Sequence, residues 1–115
     1  MTGNDCLFCK IARGAIPSKT VYQDDAIMAF EDINPVAPVH ILIIPKKHIT
    51  SAADLNLEHA DLLGRMFAAA SRIATEKGIA AQGFRIVTNS GAFGGQAVPH
   101  LHFHLLGGRQ LETMG

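Results

Sequence analysis

Histidine occupies positions 100, 102 and 104, with leucine and phenylalanine between them (PHLHFHLL, 99–106). Residues two apart on an extended strand share a face and sit roughly 6.6–6.8 Å apart along it. The spacing therefore predicts three imidazoles on one side of a strand, with Leu101, Phe103 and Leu105 packing behind it. Imidazole serves as nucleophile, proton carrier or metal ligand near neutral pH. Three arrangements use such a row: hydrogen-bonded strand histidines, a His-x-His metal site, and nucleophilic catalysis, in which one ring attacks an electrophile while its neighbours fix its tautomer and move protons. The loop before the strand favours the last. NSGAFGGQ (89–96) carries Gly91, Gly94 and Gly95, and glycine lets backbone N–H groups approach an anion closely. A phosphate held there lies within reach of an imidazole. Attack on phosphorus gives a phosphohistidine-type intermediate, and such transfers rest mainly on positioning and charge stabilisation.

The chain's two cysteines form one pair, Cys6-x-x-Cys9. In a reducing compartment that spacing suggests metal or redox chemistry, or else two reduced core thiols.

These residues need a scaffold, and the pattern supplies one. Residues 5–13 read as a short helix, with Asp5 as its cap, Leu7, Phe8 and Ile11 as an apolar stripe and Gly14 just past its end. KTVYQDDAIMAFED (19–32) reads as a hairpin turning at Gln23-Asp24-Asp25, NPVAP breaks the chain, and HILIIP (40–45) is a buried strand. The one long helix runs over 57–77, with Asn56 or Asp54 capping it, Leu62, Leu63, Met66, Phe67, Ala70, Ile73 and Ala74 on its apolar face, and Gly78 ending it. His59, at its polar start, reads as solvated. FRIVTN (84–89) is a further strand, and the histidine strand closes at Gly107-Gly108. This order predicts an α+β fold with a mainly antiparallel sheet.

With 115 residues, the chain reads as a single domain over 1–115. Its formal charge is zero and 48% of it is apolar, so no single-sign field steers it to nucleic acid or an anionic membrane. Its longest apolar run, 41–45, is far too short to span a bilayer. No signal-peptide pattern opens it, and a cytoplasmic location is expected.

His100-Leu-His102-Phe-His104-Leu-Leu resembles the histidine triad pattern, His-x-His-x-His followed by two hydrophobic residues. IPSKTVYQDD, AFEDINPVAPVHILIIPKKHI and NSGAFGGQAVPHLHFHLLGGRQ extend the resemblance to the Hint-like, purine nucleoside phosphoramidase branch over nearly the whole chain. The resemblance implies a homodimer of α+β protomers that hydrolyses a nucleoside monophosphate linked through phosphorus to an amine or another leaving group. By position it implies His102 as the nucleophile, His104 as the partner of a phosphate oxygen or the leaving group, and His40 as the fourth histidine, supporting proton handling. Asn89, Gly95 and Gln96 resemble the groups around the phosphate. Asp32 resembles the ribose anchor, and a carboxylate can accept from both cis-hydroxyls. Leu7, Phe8, Ile11, Phe30 and Ile33 resemble the walls of the purine slot.

Bacterial members of the family, and the distantly related galactose-1-phosphate uridylyltransferases, use a comparable set as structural zinc ligands. Here these would be Cys6, Cys9, His48 and His100, so His100 answers to two roles, catalytic proton relay within the triad and zinc ligand, with zinc ranked first. Three departures stand out: Ala97 where relatives have serine, Pro99 where an aromatic is common, and the tail LETMG. Three rival functions remain open at this level: a dinucleoside polyphosphate hydrolase of the Fhit-like branch, a nucleotide-binding regulatory protein with little turnover, and a catalytic metal site on the triad histidines with an open coordination position.

Overall fold

The first helix, α1 (Leu7–Ala12), starts where the Cys6 thiol accepts from the Cys9 amide at 3.3 Å. The computed structural model describes residues 6–114, and the expected cap Asp5 lies outside them. Gly14, at φ +79°, lets the amides of Gly14 and Ala15 reach back to the carbonyls of Ile11 and Lys10 and close the helix. β1 (Thr20–Gln23) and β2 (Ile27–Glu31) form the predicted hairpin. Its turn is built on Asp24, whose Oδ1 accepts from the amides of Ala26 and Ile27 at 2.8 and 2.9 Å while the Tyr22 hydroxyl donates to Oδ2 at 2.6 Å.

β3 (Val39–Pro45) follows the NPVAP break. The long helix arrives in pieces. 3₁₀ turns at Ala52–Asp54 and Leu57–His59 precede α2 (Ala60–Glu76). Asn56 caps the second turn through its side chain, and His59 completes the cap by accepting from the Asn56 amide at 3.1 Å. His59 is thus a capping residue and only half exposed, where a solvated side chain was expected. Gly78 ends α2 with the same motif that ends α1: the amides of Gly78 and Ile79 donate to the carbonyls of Thr75 and Ala74.

β4 (Phe84–Val87) and β5 (Phe103–Gly107) complete a five-stranded sheet of order β1-β2-β3-β5-β4, antiparallel at every junction. The fold is α+β, as the sequence predicts. On one face Ile27, Ala29, Ile41, Ile43, Phe103 and Leu105 pack with Met66, Ala70, Ile73 and Ala74 of α2 in the main core. Phe67 is half exposed but lays its ring against Phe103, with centroids 4.8 Å apart. On the other face Met28, Phe30, Leu42 and Ile44 pack with Cys6, Phe8, Cys9 and Ile11 of the α1 region in a second, smaller core.

The histidine strand is shorter than predicted. β5 begins at Phe103, and His100, Leu101 and His102 precede it. The reason lies in what their partners offer. The Pro45 carbonyl accepts from the His100 ring at 2.8 Å, and the Leu101 amide donates to Ile49 at 2.6 Å. The alternation survives without the ladder: Leu101, Phe103 and Leu105 all belong to the main core.

Candidate active site

Strand register brings the first cluster together. His40 lies opposite Leu106 and His104 opposite Leu42, so the two histidines are diagonal neighbours on the α1 face. Asp32 follows β2, and its amide donates to the His40 carbonyl at 3.0 Å, continuing the β2–β3 pairing. His102 comes one step further along, its ring 5.0 Å from that of His104 and edge-on to Phe8 at 5.0 Å. Phe8 in turn stacks edge-on against Phe30 at 5.6 Å.

Hydrogen bonds to the backbone decide where each imidazole keeps its hydrogen. A carbonyl only accepts, so His102 donates from Nδ1 to the His100 carbonyl at 2.7 Å and keeps a lone pair on Nε2. An amide only donates, so the Val36 N–H fills His40 Nδ1 at 3.1 Å, which leaves the His40 hydrogen on Nε2. That N–H has two acceptors, His104 Nδ1 at 2.9 Å and Asp32 Oδ2 at 3.3 Å. Burial, with the neighbouring His102 and His40, pushes His104 down to about 4, and burial lowers His40 against the pull of Asp32. Both rings are neutral near pH 7. His104, accepting at Nδ1, then presents an Nε2–H.

A second cluster sits at the other end of the row. The His100 ring nitrogens are engaged by Pro45 and by the thiol cluster. His100 Nδ1 lies 3.1 Å from Cys6 Sγ, 3.4 Å from Cys9 Sγ and 3.2 Å from His48 Nδ1, and His48 Nδ1 lies 3.3 Å from Cys9 Sγ. Tetrahedral zinc with Cys and His ligands puts neighbouring ligand atoms ~3.3–3.8 Å apart. The donor set fits. His100 spends its Nε2–H on Pro45, which leaves Nδ1 free to ligate, as carbonyl-anchored metal histidines do. Burial, then the Cys6 thiol beside it, pushes Cys9 up to about 11, so a cation is what would hold Cys9 as a thiolate. Asp32, His40 and His104 also place ligand atoms within 4.8 Å of one another. They do not fit a metal. A metal on His40 Nε2 forces its hydrogen onto Nδ1, against the Val36 N–H.

The remaining predicted residues divide. Phe8, Ile11 and Phe30 are buried in the second core, whereas Leu7 and Ile33 are exposed. Ile33 and Asp32 border a cleft of about 560 Å³ walled by Pro17, Lys19, Glu31 and Pro35. Asn89 and Gly95 lie in the glycine loop, with no bond from either side to the histidines among the described contacts. Gln96 is a loop clamp. Its Oε1 accepts from the Gly91 amide at 2.9 Å, and its Nε2 donates to the carbonyls of Thr50 and Val98 at 2.7 and 3.0 Å. Gly94 is required by close approach, since a Cβ there falls 2.6 Å from the Ser90 carbonyl oxygen.

Sequence reasoning missed two anchors. Thr88 donates to the His102 carbonyl at 2.8 Å, and Arg109 donates to the Val36 carbonyl at 3.0 Å, tethering the loop whose amide orients His40. Only the GGRQ run hinted at the latter.

Residues 13–111 match the family model described as HIT domain. The chain is 51% identical over 110 residues to the purine nucleoside phosphoramidase of Escherichia coli strain K12, covering 96% of this chain and 92% of that protein. It is 47% identical over 104 residues to protein HitA of Neisseria gonorrhoeae, covering 90% and 96%. Among solved structures, a HIT family hydrolase from Legionella pneumophila superposes with a TM-score of 0.93 at 49% identity, covering 94% and 96% of the two chains. A histidine triad protein from Clostridium difficile superposes at 0.94 and 48%, covering both chains fully. The match over residues 13–111, the 51% identity to the E. coli protein and the close superposition on the Legionella and Clostridium structures place the chain in the HIT domain family.

Proposed function

We propose that this chain is a hydrolase of nucleoside 5′-phosphoramidates that works through a nucleotidyl-His102 intermediate. The observation that carries the reading is the His102 Nδ1–H to His100 carbonyl bond at 2.7 Å, which leaves Nε2 as the nucleophilic nitrogen. Nε2 attacks the α-phosphorus in line, the P–N bond breaks and the amine leaves with an added proton. Water then attacks phosphorus, the Nε2–P bond breaks and the nucleoside monophosphate departs. His104 faces the leaving group with its Nε2–H, His40 lies against His104 and orients it in the free protein, and Asp32 accepts the ribose hydroxyls. Asn89, Gly95 and the Gln96 backbone border the phosphate, and Phe8, Phe30, Leu7, Ile11 and Ile33 wall a slot for a purine. The family relationship and the E. coli relative's name support this substrate class.

Cys6, Cys9, His48 and His100 would hold a structural zinc, which supplies a clamp for α1 and no catalytic step. His100 acts on the reaction through its carbonyl, with both ring nitrogens engaged elsewhere. The chain acts as one domain over 1–115 and pairs as a homodimer, for which β4 offers an open sheet edge. Two free thiols suit the cytoplasm. Among the described residues no helix is long and apolar enough to cross a membrane.

Intact-mass measurement after brief exposure to adenosine 5′-phosphoramidate tests the reading. A nucleotidyl adduct is expected on the wild-type protein and none on His102→Ala, with turnover lost. An active His102→Ala protein overturns it. Faster turnover of diadenosine triphosphate points to a polyphosphate hydrolase, and tight nucleotide binding with neither adduct nor turnover to a regulatory protein.

A further inference from the structure

Three atoms meet beside the row of histidines: His40 Nε2, His104 Nδ1 and Asp32 Oδ2. Their surroundings leave little freedom. The Val36 N–H fills His40 Nδ1, so the His40 hydrogen cannot leave Nε2 without setting two N–H groups face to face. Asp32 Oδ1 accepts from the Asn34 amide at 2.8 Å, which leaves Oδ2 to face His40. While His104 is neutral, His40 donates to its Nδ1 at 2.9 Å. If His104 Nδ1 gains a proton, two N–H groups confront each other at that distance. The one other acceptor at His40 Nε2 among the described contacts is Asp32 Oδ2, 3.3 Å away. The titratable groups around His104 are His102 on its own segment, His40 on β3 and Asp32 after β2, and of these only Asp32 favours an added proton.

We propose that Asp32 is a positioning residue for proton transfer: it takes over the His40 Nε2–H when His104 is doubly protonated, and so lets His104 serve as the acid for the leaving amine. The proposal rests on the phosphoramidate reading. His104, neutral in the free protein, takes a proton from water at Nδ1 as the substrate's anionic phosphate settles beside it. In the first step His104 gives its Nε2 proton to the amine nitrogen, which also receives the electron pair of the breaking P–N bond, as His102 Nε2 bonds to phosphorus. His104 is then neutral, with its hydrogen on Nδ1 and a lone pair on Nε2. In the second step water passes a proton to His104 Nε2 while its oxygen bonds to phosphorus. The His102 Nε2–P bond breaks, its electron pair returns to nitrogen, and the imidazolium is restored. Asp32 holds the His40 hydrogen aside throughout.

Asp32→Asn tests this. Its amide oxygen must still serve the Asn34 N–H, so its NH₂ group faces the His40 N–H. Turnover is measured on adenosine 5′-phosphoramidate and on its 2′,3′-dideoxy analogue, which has no ribose hydroxyls for Asp32 to bind. We expect kcat to fall about 10²-fold on both substrates, as for loss of general acid–base catalysis. KM should rise on the ribose substrate alone, the alkaline limb of the kcat–pH profile should move to lower pH, and Asp32→Glu should restore part of the loss. A second readout needs no turnover. In ¹⁵N NMR titrations of the free protein, the His104 midpoint should drop in Asp32→Asn. Wild-type kcat and pH profile on the dideoxy substrate, with an unmoved His104 titration, overturn the proposal and leave Asp32 as a ribose ligand only. If the wild-type protein forms no adduct with either substrate, the phosphoramidate reading fails separately, and the His104 titration still decides the role of Asp32.

Discussion

His102 differs from His104 chiefly in what its Nδ1 meets: a carbonyl in one case, a neighbouring N–H in the other. Residue type and spacing alone do not reveal this. Spacing points to His100, His102, His104 and the cysteine pair, and the family resemblance adds His40 and His48, because all of these depend on side-chain identity. The sequence is silent on the Val36 amide and the His100 carbonyl, because every residue has such groups and only the fold aims them. Gln96 illustrates the same limit. The family resemblance implies a backbone role for it near phosphate, yet its side chain makes three bonds that hold the loop closed. Gln96→Ala should lower unfolding free energy by about 1–3 kcal/mol, since it frees several partners at once, and should raise KM with a smaller change in kcat. Urea denaturation and steady-state kinetics check the two parts.

Turns and the C-terminal ends of both helices were legible at the scale of elements. The helix starts were less so, since Cys6 caps α1 and Asn56 caps the 3₁₀ turn ahead of α2. Gly14 and Gly78 mark both helix ends, and the Asp24-Asp25 pair marks the first hairpin. Less legible were the 3₁₀ turns before α2 and the late start of β5, where side chains and irregular backbone take bonds that a periodic pattern assigns to the ladder. The hairpin turn carries a pH signature. Burial pushes the Asp24 carboxyl up, but the Tyr22 hydroxyl, two backbone amides and Arg65 outweigh it and bring it down from 3.8 to about 2. A carboxyl lowered in the folded state contributes stability above its unfolded value and loses it as pH falls through the folded one. Wild-type stability should therefore decline between pH 3.8 and about 2 more steeply than that of Asp24→Asn, in unfolding curves recorded across that window.

For the molecule as a whole, the histidine face works in the same direction at higher pH. His104 is held at about 4 against an ordinary 6.5. The unfolded chain binds its proton first, so stability is complete above 6.5 and erodes as pH falls toward about 4. Thermal midpoints should fall over that interval, and His104→Gln should flatten the slope. The thiol cluster adds a second dependence. If it holds zinc, protein purified without chelator should contain close to one equivalent, and Cys9→Ser should lose both the metal and part of the thermal midpoint. The two cores are unequal. A six-residue helix is too short to persist by itself, so α1 depends on Phe8, Ile11 and the cysteines that pin it. The molecule therefore has a weak side and a strong side. Amide exchange should release α1 as a separate unit well before the α2 layer lets go, and with it the Phe8 ring that packs edge-on against His102. Catalytic competence should then fade on warming while most of the protein still gives the spectrum of a folded chain.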